Sequence, residues 1–349
     1  MANILILGAG SMGTAFSIPC SDNKHSVSIV GTHLENDSIN LINSKKWHPA
    51  LNCEIPKNVT FFKFDKLENE INKKLDLIVI AVSSKGIEWA VTELSKYIKN
   101  TQPILILTKG LDIHDGRYEV LVHKTERLFK KKGIKELDVS GAGGPCLAKG
   151  LANRVHTSVV FANSNIKSVQ NIASLVSTDY YHVYTSADVI GVEICAAIKN
   201  IYSMIVGASE GLCGQNSNEI SNNKNYLNTA ASLIQQSVNE MTIFIEKANG
   251  KKETVMGLAG IGDLYVSADG GRNSKMGQYL GKGMSFDEAK KDKMSKDTVE
   301  GADLVYDIGK QVKSDFDEET MPLMFSLINT ILDKAKLKVE WKYFNKSIS

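Results

Sequence analysis

The chain has 349 residues, 43% hydrophobic and 23% charged, with 41 Lys and Arg against 39 Asp and Glu for a net charge of +2. That length accommodates two domains with substantial cores, and the near balance of charge gives no reason to expect a nucleic-acid or membrane partner. Cys20, Cys53, Cys146, Cys195 and Cys213 form no C-x-x-C pair, which argues against a zinc site or a disulfide framework and for free thiols in a reducing compartment.

The chain opens on a predicted strand, Asn3–Gly8, with no basic leader and no small-residue cleavage site. No apolar run approaches the length of a membrane span, so a cytoplasmic protein is expected. The strand runs into Gly8, Gly10 and Gly13, a G-x-G-x-x-G followed by the helix start Thr14-Ala15-Phe16. Such glycines permit a tight turn, close approach of backbone to a pyrophosphate, and close helix–strand packing, with the helix N-terminus facing the phosphate charge. In that strand–helix context the motif predicts a dinucleotide cradle, formed by Gly8, Gly10, Ser11, Met12 and Gly13.

Further strands are predicted at Ser26–Val30, Asn58–Lys63, Leu75–Val82, Pro103–Thr108, Leu137–Ser140 and His156–Phe161, alternating with helical patterns. This alternation predicts a mainly parallel, doubly wound α/β sheet of Rossmann type. Ligands in such sheets bind beyond the carboxyl ends of the strands. From Asp188 onward, apolar residues recur at helical spacing through Val189–Gly211, Leu227–Asn249, Ser274–Leu280, Asp297–Gln311 and Pro322–Ala335. The change of pattern predicts a dinucleotide-binding domain over 1–186 and an all-α substrate-binding domain over 187–349, with the substrate in the cleft between them. The polar run Gly214–Asn225 is expected to be a mobile surface loop. Lys130-Lys131-Lys132 and Lys290–Lys296 are expected to be solvated helix faces.

Several side chains invite a chemical reading. Lys199, in a helical run of Val192, Ile194, Cys195, Ala196, Ala197, Ile198 and Ile201, is either a snorkelling stem or a buried functional amine. A ketone reduction needs a proton donor at the carbonyl oxygen, a task an ammonium can perform. Asp263, after Gly260-Ile261-Gly262, is either a helix cap or a carboxylate that pairs with such a lysine. Lys109 stands at a strand end, either solvated or over a ligand. Arg272-Asn273, after two glycines and at a helix start, form either a capped helix with a surface arginine or a phosphate site.

Taken together, GAGSMGTA (Gly8–Ala15), LTKGLD (Leu107–Asp112), GGPCLAKG (Gly143–Gly150), GVEICAAIKNIYSMIVGASEGL (Gly191–Leu212), GLAGIGDL (Gly257–Leu264), GGRN (Gly270–Asn273) and VEGADLVY (Val299–Tyr306) resemble the NAD(P)-dependent glycerol-3-phosphate dehydrogenases, in that family's order and at about its spacing. The resemblance implies a reaction between dihydroxyacetone phosphate and sn-glycerol 3-phosphate that serves glycerophospholipid synthesis or links glycerol to glycolysis. It implies catalytic roles for Lys199, Asp263, Lys109 and Asn200, with Lys199 as acid or base. It implies that Arg272 and Asn273 grip the substrate phosphate with help from Ser267, and that Gly144, Cys146 and Ala148 line substrate and nicotinamide. Lys109, Arg272 and Glu300 are implied to approach the cofactor as well. No metal is expected, and the helical half is expected to carry a homodimer contact.

Departures from the family pattern are Met12 for an aromatic, Cys146 for Ser or Thr, Gly150 for an acidic residue and Gln236 for Arg. After the second strand stand Gly31-Thr32-His33, with Glu35 close by and no arginine. His33 is a candidate phosphate or adenine contact, and the choice between NAD and NADP stays open. Two other readings compete. One is a related two-domain dehydrogenase of a carboxylated substrate, of β-hydroxyacid or ketopantoate type, which would not need GGRN. The other is a dinucleotide-binding redox sensor without turnover, which leaves Lys199 and Asp263 without a task.

Overall fold

The structure is a computed structural model and describes residues 1–98, 101–213 and 226–344; the expected loop Gly214–Asn225 lies outside the described residues. By its internal contacts the chain divides into a first unit, Met1–Lys109 with Val120–Glu193, and a second, Gly110–Glu119 with Ile194–Ser349.

The strands are β1 (Asn3–Leu7), β2 (Ser26–Val30), β3 (Trp47–His48), β4 (Cys53–Glu54), β5 (Val59–Phe62), β6 (Leu77–Ile80), β7 (Pro103–Ile106), β8 (Leu111–His114), β9 (Arg117–Val120), β10 (Asp138–Gly143), β11 (Thr157–Ala162) and β12 (Tyr181–Ser186). Eight of them form the sheet of the first unit in the order β12-β11-β10-β7-β6-β1-β2-β5. Every neighbouring pair is parallel except β10 and β11. The central strands are apolar on both faces: Ile4 to Leu7, Leu77 to Ile80 and Ile104 to Ile106 are all buried. That pattern is the signature of a parallel sheet covered on both sides. Helix Ser11–Asp22 lays a nearly continuous buried run onto the sheet, with Phe16 edge-on to Tyr181 and tilted against Phe161. The edge strand β12 was not expected from the sequence; it extends the sheet beyond the predicted strand His156–Phe161 and pairs with β11 along its whole length.

Among the described residues the second unit is mainly helical from Ile194 onward. After helix Val189–Gly207, whose first turn still belongs to the first unit, come Leu227–Lys247, Asp263–Ala268, Arg272–Gly281, Phe286–Asp292, Glu300–Asp315 and Pro322–Ile331. Local signals start two of them: Ser285 and Glu288 form a capping box, and Pro322 stands in the first turn of its helix. The hairpin of β8 and β9 also belongs here, with β8 against helix Glu300–Asp315 and Tyr118 packed on Phe244 with ring centroids 4.6 Å apart.

One expectation needs correcting. Helix Val189–Gly207 has 19 residues and a mean hydropathy of 1.6, long and apolar enough to cross a membrane by length and composition. In the fold 89% of that stretch is buried, and it serves as a core helix. A core helix that is contacted on all sides is apolar all round, so hydropathy alone does not separate it from a membrane span.

Candidate active site

In the first unit the glycine-rich turn follows β1. Gly8 has φ +117, a left-handed conformation, and a Cβ there would lie 2.5 Å from the carbonyl oxygen of Ala81. A Cβ on Gly13 would lie 2.4 Å from the carbonyl oxygen of Gly8, so helix and turn are in backbone contact. Gly10 is different: its nearest neighbour on that side is the Glu35 carboxylate at 3.7 Å. Gly10 is the N-cap of helix Ser11–Asp22 and, being glycine, offers no side chain to the first amides of the helix, a start suited to an anion.

The structure brings Glu35 onto this turn. Its Oε2 accepts the backbone N–H of Ala9 at 3.1 Å and that of Thr32 at 2.7 Å. From the sequence Glu35 was only close to the strand end; an acidic residue some twenty positions beyond the glycines was the available signal. His33 is exposed and sits edge-on to Trp89, which in turn packs against Phe64. Lys109, just past β7, donates to the carbonyl oxygen of Gly144 at 3.3 Å. Met12, Cys146 and Ala148 are partly buried against the apolar core of this unit.

In the second unit the structure joins residues that are far apart in sequence. Lys199 Nζ donates to Asp263 Oδ1 at 2.9 Å, with only 8% and 3% of the two side chains exposed. The same ammonium donates to Ser267 Oγ. Taking both charges out of water is costly, and the ion pair with its added hydroxyl offsets that cost. Asp263 reaches this position through a local irregularity. Residues Leu258–Gly262 form a π turn, with Gly262 N–H donating to the carbonyl oxygen of Gly257, directly before helix Asp263–Ala268. Such widened turns recur at functional sites.

Beside this pair, Asn273 Nδ2 donates to Asn200 Oδ1 at 3.1 Å, and Asn273 Oδ1 accepts the N–H of Gly301 at 2.9 Å. One buried amide therefore ties the starts of helices Arg272–Gly281 and Glu300–Asp315 to the residue after Lys199. Close backbone packing fixes the same register. A Cβ on Gly277 would lie 1.7 Å from the carbonyl oxygen of Met204, one on Gly207 2.3 Å from that of Ser274, and one on Gly301 2.5 Å from that of Asn200. Arg272 lies on the exposed side of this arrangement and donates from Nη2 to Glu300 Oε1. The N-cap of helix Arg272–Gly281 is Gly271, which has no side chain to offer its first amides. The pairing of Arg272 with Glu300, 28 positions apart, carried no signal in the spacing.

A glycine-rich turn on a parallel sheet, and a helical unit that buries a lysine–aspartate pair next to an arginine at a helix start, define a two-domain, nicotinamide-dependent dehydrogenase. Residues 3–169 match the NAD-dependent glycerol-3-phosphate dehydrogenase N-terminus, and residues 188–341 match the C-terminus of the same family. The chain belongs to the NAD-dependent glycerol-3-phosphate dehydrogenase family. It is 32% identical over 317 residues to the NADP(+)-dependent glycerol-3-phosphate dehydrogenase of Archaeoglobus fulgidus, covering 89% of this chain and 91% of that one. The crystal structure of glycerol-3-phosphate dehydrogenase from Coxiella burnetii shares the fold at a TM-score of 0.79 and 24% identity, over 99% and 98% of the two chains. A ketopantoate reductase structure from Ralstonia eutropha JMP134 shares it less well, at a TM-score of 0.57 and 13% identity over 99% and 100%.

Proposed function

We propose that the protein interconverts dihydroxyacetone phosphate and sn-glycerol 3-phosphate with NAD(H) or NADP(H), and so supplies glycerol phosphate for phospholipids or connects glycerol to glycolysis. The observation that carries this reading is the buried Lys199–Asp263–Ser267 cluster beside Arg272 and Asn273. The first unit holds the dinucleotide, and the second, to which residues 110–119 also belong, holds the substrate. Gly10, which brings no side chain to the turn, and the start of helix Ser11–Asp22 behind it fit a pyrophosphate. A nicotinamide cofactor held there would supply or accept the hydride at substrate C2.

The residues of this chain do the rest. The Lys199 ammonium donates its proton to the carbonyl oxygen as that oxygen becomes an alkoxide, and takes the proton back in oxidation. Asp263 and Ser267 hold the ammonium in place, and Asn200 fixes orientation together with Asn273. Arg272 and the helix start it stands on take the phosphate, converting binding energy remote from C2 into alignment at C2. Lys109, Gly144, Cys146, Ala148 and His33 are the ligand contacts we assign to the first unit, and Glu300 is a cofactor contact we assign to the second.

The test is initial-rate reduction of dihydroxyacetone phosphate with NADH and then NADPH, with unphosphorylated dihydroxyacetone as control. Turnover that needs the phosphate is expected, and the ratio of the two rates gives the cofactor. No turnover with either cofactor overturns the reading and points to carboxylated ketones, for which the weaker likeness to the ketopantoate reductase fold is the support. We place the protein in the cytoplasm, consistent with its free cysteines, and assign it a homodimer through the helical domain. Light scattering at twice the 38.2 kDa chain mass checks the dimer.

A further inference from the structure

We propose that Glu300 is a counter-ion that holds Arg272 when no phosphate is bound and has to release it when one arrives, so that this carboxylate sets how tightly the site takes a phosphate. The proposal rests on the reading of Arg272 and Asn273 as the phosphate anchor. Arg272 and Glu300 are the first residues of helices Arg272–Gly281 and Glu300–Asp315. The two helix starts are fixed to each other by Asn273, which accepts the Gly301 N–H. Beside this fixed backbone the two charged side chains remain half-exposed, at 51% and 43%, and they are free to exchange one partner for another. With the ion pair made, the anchor carries no net charge. A phosphate dianion then meets a carboxylate already bonded to Nη2 of the guanidinium that would grip it.

Bare phosphate has only the fork and the helix start to gain, and it has to displace Glu300 for them. A substrate that also places a carbonyl oxygen at Lys199 gains a second contact toward the same displacement. The displacement costs both ligands the same, so the carboxylate weakens both by about the same factor, and the contact at Lys199 leaves the substrate the tighter of the two. The plainer reading is that Glu300 favours the N-terminus of its own helix and makes a surface ion pair of little energetic weight. The two readings differ in phosphate affinity.

Isothermal titration calorimetry of inorganic phosphate into the full chain separates them, with wild type, Glu300→Gln, Glu300→Ala and the control Glu68→Gln, an exposed glutamate of the first unit. Both Glu300 variants are expected to bind phosphate about three- to tenfold more tightly, the KM for dihydroxyacetone phosphate is expected to fall with them, and Glu68→Gln should leave the affinity unchanged. Equal or weaker phosphate binding by both Glu300 variants overturns the proposal, as does an equal gain in Glu68→Gln. Tighter phosphate binding without any reduction of dihydroxyacetone phosphate would overturn the proposed activity and leave the counter-ion standing. Turnover with unchanged phosphate affinity would do the reverse.

Discussion

The two strongest residue-level expectations concern Lys199 and Arg272, and they separate chemistry from binding. Lys199→Ala is expected to lower kcat by at least about 100-fold, the effect of losing a general acid. Removing it leaves Asp263 buried without its cation, so the melting temperature is read alongside, and Lys199→Met, which keeps the apolar stem, should show the same loss in kcat. Near-normal turnover in either variant would take Lys199 out of the reaction. Arg272→Ala should raise the KM for dihydroxyacetone phosphate by at least about tenfold with a smaller change in kcat. If only the KM for the nicotinamide cofactor rose, Arg272 would belong to the cofactor. At this scale the sequence was informative where a residue type carries chemistry and poor where partners must be found. Lys199 and Asp263 stand 64 positions apart, and no periodicity brings them together. Their pairing was one of two readings of Asp263, favoured by the resemblance of whole motifs, whereas the grip of Glu35 on the Ala9 and Thr32 amides came from the fold alone.

At the scale of elements, the placement of the candidate site depends on one helix contact. Helices Val189–Gly207 and Arg272–Gly281 meet backbone to backbone at Gly207, Ser274 and Gly277, and this closeness sets Asn273 against Asn200. Gly277→Ala drives a methyl group into the carbonyl oxygen of Met204 and is expected to cost at least about 2 kcal/mol, read as a lower urea midpoint, together with loss of activity. A stable, fully active Gly277→Ala protein would mean that the two helices do not have to meet so closely. The strands of the parallel core were legible because DLIVIAV and ILIL are apolar on both faces. β12 was missed because it is an edge strand: only Tyr181 of Tyr181–Ser186 is buried, and the run reads as polar. The hairpin of β8 and β9 had a signal that went unread. Asp115 and Gly116 both take positive φ, the turn that Asp-Gly favours between short strands. LTKGLD drew attention for its lysine and concealed the start of β8. The π turn at Leu258–Gly262 has no legible pattern, since it differs from an ordinary helix only in where one hydrogen bond goes.

At the scale of the whole molecule, two buried carboxylates should dominate the dependence of stability on pH. Burial pushes the Glu193 carboxyl up to about 8, against the lowering effect of the Val122 N–H it accepts. Burial likewise pushes Glu240 up to about 7, although it accepts the amides of Leu323 and Met324 and is reached by Gln236 and Tyr202. An unfolded chain releases these protons near the ordinary value of 4.5, so between there and about 7 to 8 the folded state binds more protons. Stability from these groups is complete below about 4.5 and falls as pH rises through 7 and 8, by on the order of a few kcal/mol in total. Urea midpoints from pH 5 to 8.5 should show the decline, and Glu240→Gln should flatten its lower part. A Glu240→Gln protein with an undiminished slope would remove Glu240 from this account.

The path of the chain between its two units has a consequence for how the protein is made. Everything the first unit needs has been synthesised once Glu193 has emerged. The hairpin of β8 and β9 emerges with that first half, yet the residues it packs on, Phe244 and helix Glu300–Asp315, come long afterwards. During synthesis the first unit therefore can close while a ten-residue stretch in its middle, 110–119, waits for partners. A fragment that starts at Ile194 would lack the hairpin and leave the Phe244 ring without the cover of Tyr118. The second unit is thus not one continuous segment, and it completes only after helix Glu300–Asp315 has left the ribosome.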